Sequence, residues 1–142
     1  MEPILVSACL LGANCKYSGG NNLCPKLEAL KDKYQLIPVC PEQLGGLPTP
    51  RPPAECQGEK VINKEGLDVT EQFRKGAEEA LKLGQYFGCK QAILKSRSPS
   101  CGQGMIYDGT FTGALVPGDG ITAKLLRQSG FSLYSEENIL EE

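Results

Sequence analysis

Three cysteines that lie far apart in the sequence each follow a predicted strand: Cys9, Cys40 and Cys101. Glycine, proline and serine surround them, and these residues favour loops over core segments. In an open parallel sheet, ligands bind in the crevice outside the carboxyl ends of the strands. We therefore expect the three thiols to share one site, where cysteine would act as a metal ligand or a nucleophile.

The metal chemistry of this site is limited by what the chain lacks. It has seven cysteines but no histidine, and no two cysteines lie within four residues of each other. Structural zinc sites usually contain such close pairs. Thiolates on three separate loops instead favour an iron-sulfur cubane in which one iron lacks a protein ligand and acts as a Lewis acid. Cys15 in the first loop either joins this site or braces the loop.

Further candidates flank the three cysteines. Glu42 lies two residues beyond Cys40, and Ser98 and Ser100 bracket a proline just before Cys101. Cationic side chains in the same segments would stabilise a negatively charged cluster or bind an anionic substrate; they are Arg51, Lys95 and Arg97. The remaining cysteines are interpreted as small buried packing residues, Cys56 less firmly than the other two; they are Cys24, Cys56 and Cys89.

The elements that must position these residues alternate between strand and helix. Apolar runs predict strands at 4–8, 35–39, 89–95 and 131–134, and helical periodicity predicts helices at 25–34, 68–87 and 121–128. Residues 41–56 are rich in proline and predict a stiff loop without helix. A small hairpin is predicted at 60–67, turning at 63–66, and short strands at 105–107 and 111–116.

Such alternation predicts parallel strands joined by right-handed crossovers. We expect one α/β domain over residues 1–142, with a Rossmann-like, mostly parallel sheet, helices on both faces and the site at the carboxyl ends of the strands. The length suffices for a core without disulfides.

Composition narrows the function classes. The formal net charge of −2 argues against binding of duplex nucleic acid, which needs a basic face. The sequence shows neither a secretory leader nor an apolar run long enough to span a membrane. We therefore expect a cytoplasmic protein with free thiols, and leave its oligomeric state open.

The residues around the cysteines resemble one known family. These segments are Ser7-Ala8-Cys9-Leu10-Leu11-Gly12 with Cys15 and Tyr17, Cys40-Pro41-Glu42 with Gly45-Gly46-Leu47, Pro50-Arg51-Pro52-Pro53-Ala54-Glu55, and Lys95 with Ser98-Pro99-Ser100-Cys101-Gly102. They resemble the domain-of-unknown-function family 523 (DUF523) over nearly the whole chain. Some members of that family are thiouracil desulfidases, which remove sulfur from a thiolated pyrimidine without net redox chemistry, using a [4Fe-4S] cluster held by three cysteines.

The resemblance implies that Cys9, Cys40 and Cys101 hold the cluster. It also implies that Glu42 and a serine lie beside the open iron, with Ser98 preferred to Ser100. The expected function is desulfuration of a small thiolated heterocycle such as 4-thiouracil, releasing hydrosulfide. The alternative is a non-catalytic iron-sulfur or zinc-binding module; a thiol-based redox protein is disfavoured because the chain has no Cys-x-x-Cys pair.

Overall fold

The structure, a computed structural model, describes residues 1–139. Its strands are β1 (Glu2–Ser7), β2 (Tyr34–Val39), β3 (Ala54–Gln57), β4 (Lys60–Asn63), β5 (Gln91–Leu94), β6 (Met105–Tyr107), β7 (Leu115–Pro117) and β8 (Ser132–Ser135). Its α-helices are α1 (Pro41–Leu44), α2 (Thr70–Tyr86) and α3 (Ile121–Gln128), and 3-10 helices span Ala8–Leu11 and Pro25–Asp32. None of the helices among these residues has the length and apolar composition of a membrane span.

The central sheet is parallel, as predicted, with the strand order β2-β1-β5-β8. The chain passes from β1 outward to β2 and later returns to β5 on the other side of β1. The strand order therefore reverses beside β1, and in folds of this type the crevice at such a point is where ligands bind.

Successive side chains of β1 point to opposite sides of the sheet, and apolar residues cover both sides. Leu5 packs on one face with Ala80 of α2 and Leu126 of α3. Ile4 and Val6 pack on the other face with Leu27 and Ile139. The predicted α/β architecture is confirmed, although the segment predicted as a helix at 25–34 is a 3-10 helix.

The long helix α2 follows the predicted periodicity. Its buried residues include Phe73, Ala77 and Ala80, which recur three or four positions apart and form one apolar face. Asp68 accepts a hydrogen bond from the Thr70 N–H at 2.9 Å and so satisfies a free donor of the first turn. The helix starts two residues later than predicted for this reason.

One local prediction was wrong and another was incomplete. The proline-rich segment contains α1, because Pro41 takes the first helical position, where no N–H is needed. The predicted turn at 63–66 is present, with an antiparallel bridge between Ile62 and Asp68, but β4 also pairs with β3 through a second turn at Gly58 and Glu59. Asn63 closes the later turn with its own side chain, whose Oδ1 accepts the N–H groups of Glu65 and Leu67.

Helix α1 is seated directly on α2 through a glycine pair. A Cβ atom on Gly76 would overlap the Pro41 carbonyl, and one on Gly45 would overlap the Gln72 carbonyl. The two backbones therefore approach more closely than other residues would permit. This contact determines where Glu42, on the single turn of α1, can lie.

Candidate functional site

A pocket of about 440 Å³ opens where β1, β2 and β5 end. Its lining brings together nearly all of the residues singled out from the sequence: Cys9, Cys15, Cys40, Glu42, Arg51, Lys95, Ser98, Ser100 and Cys101. The site is therefore found at the carboxyl ends of the strands, where it was expected. Cys24, Cys56 and Cys89 are absent from the lining and lie in three different apolar clusters.

Each pocket cysteine is placed by the element that precedes it. Cys9 lies in the 3-10 helix that follows β1 directly, and Cys40 is the residue between β2 and α1. Cys101 ends a tight turn after β5, where the Gly102 N–H donates to the Ser98 carbonyl at 2.8 Å. Because β1 pairs with both β2 and β5, these three turns meet at one edge of the sheet.

The thiols have polar neighbours. The Asn22 side-chain amide donates to Cys9 Sγ at 3.4 Å, and the Ser100 hydroxyl oxygen lies 3.7 Å from Cys101 Sγ. The Cys40 thiol donates to the Cys15 carbonyl at 3.7 Å. The Asn22 contact makes the sulfur atom of Cys9 an acceptor, which is the role that a thiolate ligand plays.

Burial raises the pKa of three pocket thiols, those of Cys9, Cys15 and Cys101. It raises the pKa of Cys101 to about 12, with Ser7 and Ser100 opposing and Cys9 adding to the shift. Burial also raises the pKa of Cys15 to about 12, together with the nearby thiol of Cys40. These three thiols are therefore protonated near neutral pH in the metal-free protein, and a metal that binds any of them must displace its proton.

The donor set indicates which group the site fits. Among residues 1–139, no three Cys, Asp or Glu side chains lie close enough to hold one metal ion. Thiols that bind different irons of a cluster stand further apart than the ligands of a single ion, and cysteine thiolate is the usual cluster ligand. Three sulfur donors around a shared pocket, in a chain without histidine, fit a [4Fe-4S] cluster.

Glu42 has a partner on each carboxylate oxygen. Its Oε1 accepts from Arg51 Nε at 3.0 Å, and its Oε2 accepts from the Ser100 hydroxyl at 3.0 Å. The carboxylate is thus fixed between the proline-rich segment and the turn that carries Cys101. It remains accessible from the pocket, which it lines.

The two serines of the turn differ in what they contact. Ser98 Oγ accepts the N–H groups of Ser100 at 3.1 Å and Cys101 at 3.0 Å, so it shapes the turn. Only Ser100 donates to Glu42. The preference for Ser98 drawn from the sequence therefore shifts to Ser100 as the serine beside the carboxylate.

The three cationic candidates are all engaged with the protein. The Arg51 side chain is only 4% exposed, and besides Glu42 it donates to the Cys15 carbonyl, the Pro48 carbonyl and the Thr49 hydroxyl. Lys95 lines the pocket and pairs with Glu136 at 3.0 Å. Arg97 is exposed, pairs with Glu137 at 3.2 Å and is not part of the lining.

Sequence reasoning missed several pocket residues. Asn22, which contacts Cys9, lies at the end of the glycine-rich first loop. No motif or spacing in the sequence distinguishes it from the other polar residues of that loop. Glu55 ends the proline-rich motif without an evident role in the sequence. Phe111 lies in a turn that was predicted to be the start of a strand; both residues line the pocket.

Comparisons with known proteins identify the family. The family model described as 2-thiouracil desulfurase matches residues 4–138. The uncharacterized protein YbbK of Bacillus subtilis (strain 168) is 41% identical over 146 residues, which cover 96% of this chain and 97% of YbbK. The solved structure of the [4Fe-4S]-dependent thiouracil desulfidase TudS is 48% identical, has a TM-score of 0.93, and the match covers 99% of this chain and 95% of TudS.

Proposed function

This chain belongs to the 2-thiouracil desulfurase family, and from that premise we propose that it removes sulfur from a small thiolated heterocycle such as 4-thiouracil. The likeness to TudS makes it an enzyme of the thiouracil desulfidase kind. The observation that carries the proposal is that three strand-end thiols, Glu42 and Ser100 line one pocket.

The reaction is a hydrolysis, so it needs no oxidant or reductant. The oxygen of a water molecule forms a bond to the carbon that bears sulfur, and the carbon–sulfur bond breaks. Sulfur leaves as hydrosulfide, and the thione becomes a carbonyl. One proton must be taken from the water, and another must be delivered to the ring or to the departing sulfur.

We assign Cys9, Cys40 and Cys101 as the residues that hold a [4Fe-4S] cluster. When bound by three thiolates, such a cluster supplies a Lewis-acidic iron without a protein ligand, which has an open position for sulfur. Cys15 is assigned to bracing the first loop, because its carbonyl accepts from both Arg51 and Cys40. Lys95 offsets negative charge near Cys9, whose pKa it lowers against the larger effect of burial.

Glu42 is the group that takes the proton from water. Arg51 holds Oε1, so Oε2 is the oxygen left to act, and the Ser100 hydroxyl lies 3.0 Å from it. Ser100 can orient the water or pass a proton to a ring atom. A positioned carboxylate typically accelerates such a transfer by about 10²–10⁴-fold.

The test is anaerobic reconstitution with iron and sulfide, followed by a hydrosulfide assay with 4-thiouracil. We expect roughly four irons per chain and hydrosulfide release from the reconstituted protein alone. A non-catalytic module would bind iron without turnover of any thiolated base. Loaded protein that is inert in this assay would therefore overturn the proposal.

A further inference from the structure

The turn at residues 108–113 holds Phe111 in an unfavourable backbone conformation. Its φ is +59°, in the left-handed region that bulky side chains rarely adopt. Such a conformation is strained and persists only where surrounding contacts enforce it. Phe111 lines the same pocket as the three strand-end cysteines.

The contacts that enforce this conformation come from strand β3. Glu55 Oε1 accepts the N–H of Gly109 at 3.0 Å and the N–H of Phe111 at 3.1 Å. The Gln57 side-chain amide donates to the Gly109 carbonyl at 3.0 Å. A Cβ on Gly109 would crowd the Cys56 carbonyl, so the turn lies directly against the strand.

The second carboxylate oxygen of Glu55 has no hydrogen-bond donor among the described residues. Only 9% of the residue is exposed, and within residues 1–139 no donor reaches its Oε2. Oε2 is not fully buried. Glu55 lines the pocket, and Oε2 is its one carboxylate oxygen without a donor among the described residues.

We propose that Phe111 and Glu55 form the recognition site for the heterocycle: the Phe111 ring stacks on its face, and Glu55 Oε2 accepts a hydrogen bond from a ring N–H. This inference rests on the proposed function and specifies its substrate class. The ligand is a planar ring with an unsubstituted N–H, and alkylation of that nitrogen abolishes the hydrogen bond.

Other aromatic residues of the pocket are less suited to this role. Tyr17 is 46% exposed, and its ring lies 5.9 Å from the Lys16 ammonium. Tyr107 lies in strand β6, a conformation that aromatic residues favour, so no strained backbone fixes its position. Phe111 alone among the three is held in its position by a buried carboxylate that also reaches the pocket.

The binding test uses uracil, the desulfurated product, with cluster-loaded protein in isothermal titration calorimetry. Phe111→Leu should bind uracil about 10- to 100-fold more weakly, and Phe111→Tyr should bind it as the wild type does, because stacking needs only the ring. Glu55→Gln keeps an acceptor for the turn but presents an amide donor to the ligand, so it should weaken binding by about 10-fold.

Matched controls are Phe87→Leu and Glu59→Gln, which change an exposed aromatic and an exposed carboxylate outside the pocket. Both should bind uracil as the wild type does. Iron content should be the same in all variants. In steady-state kinetics, Phe111→Leu should raise KM for the thiolated base far more than it lowers kcat. A variant that is partly unfolded would instead show a lower iron content together with a lower thermal stability.

N-methylated uracils isolate the Glu55 contact. One of the two isomers, methylated at N1 or at N3, should bind the wild type about 10-fold more weakly than uracil does, and Glu55→Gln should lose that discrimination. Wild-type affinity for uracil in both variants, or equal affinity of the wild type for uracil and both methylated forms, would overturn the inference. Since uracil is not turned over, a wild type that fails to desulfurate counts against the proposed function alone.

Discussion

Cys101 and Cys89 are both buried, at 4% and 7% exposed, and lie in the same apolar cluster, yet their polar neighbours differ. Cys89 lies in an apolar cluster, and burial alone raises its pKa. Cys101 lies in the same cluster, but its sulfur also faces Ser7, Ser100 and the thiol of Cys9. Burial therefore does not separate the cysteine that we propose as a ligand from the packing cysteine. The polar groups at the end of the strand are what differ between the two.

The same contrast holds for the other cysteines. Cys24 packs on the sheet face that carries Ile4 and Val6, and Cys56 lies in the apolar cluster around Phe73, with its thiol 3.6 Å from the Pro99 carbonyl. Neither belongs to the pocket. Cys9 and Cys40, in contrast, both line the pocket. They lie close enough that Cys40 contributes to the raised pKa of Cys9, although burial is the larger cause.

The largest expected effect separates these two groups of cysteines. Replacing Cys9, Cys40 or Cys101 by Ser should each abolish cluster binding, because two thiolates hold a cubane poorly. Cys24→Ala and Cys89→Ala should keep roughly four irons per chain and lose only about 1 kcal/mol of stability. Iron and sulfide counts after anaerobic reconstitution, with a urea titration, check both statements.

Two outcomes would break the comparison. Loss of iron from Cys89→Ala would show that the apolar surroundings do not exclude a ligand role. Loss of iron from Cys15→Ser, with iron retained in Cys9→Ser, would move the ligand of the first loop to Cys15.

The second effect concerns rate instead of cofactor. Glu42→Gln should keep full iron content but lose at least about two orders of magnitude in kcat, because an amide cannot take a proton from water. Steady-state kinetics with 4-thiouracil measure this, and Glu59→Gln serves as the exposed control. Near-normal turnover would leave Glu42 as a structural partner of Arg51, to which it is bonded.

These residues also show how far the sequence can predict such a site. Strand ends are local features, so the meeting of Cys9, Cys40 and Cys101 followed from hydrophobic runs and sheet topology. The Glu55 contact with the turn at Phe111 joins residues 56 positions apart, and no local pattern encodes it. The choice between Ser98 and Ser100 depends on the direction of each side chain within one turn. The spacing of the two serines in the sequence does not determine that direction.

The third effect tests how the fold positions the carboxylate of Glu42, which we propose as the proton acceptor. Gly76→Ala should destabilise the protein by about 1–3 kcal/mol, because the added methyl group overlaps the Pro41 carbonyl and pushes α1 away from α2. The shift should also lower kcat, since α1 carries Glu42. Lys75→Ala, on the exposed side of α2, should change stability by less than about 0.5 kcal/mol. Equal thermal stability of the two variants would contradict the close packing.

The smallest effect concerns the ion pair beside the pocket. Burial alone would raise the pKa of Glu136, but the Ser96 N–H and the Lys95 ammonium outweigh it, so the pKa is lowered. A lowered folded-state pKa stabilises the protein above the unfolded pKa of about 4.3, and this stabilisation is lost as the pH falls through the folded value. Glu136→Gln should therefore cost about 1 kcal/mol at neutral pH, and this cost should shrink as the pH falls below the unfolded pKa. Urea titrations at neutral and at acidic pH measure it, and an undiminished cost in acid would contradict the assignment.

The central claim is that the pocket hydrolyses a carbon–sulfur bond, and its most direct test is anaerobic turnover of 4-thiouracil by reconstituted protein in water enriched with heavy oxygen. The account predicts equal amounts of hydrosulfide and uracil, with one heavy oxygen on the carbon that bore sulfur and no added reductant or oxidant. Unlabelled uracil, or sulfur released in any form other than sulfide, would contradict it.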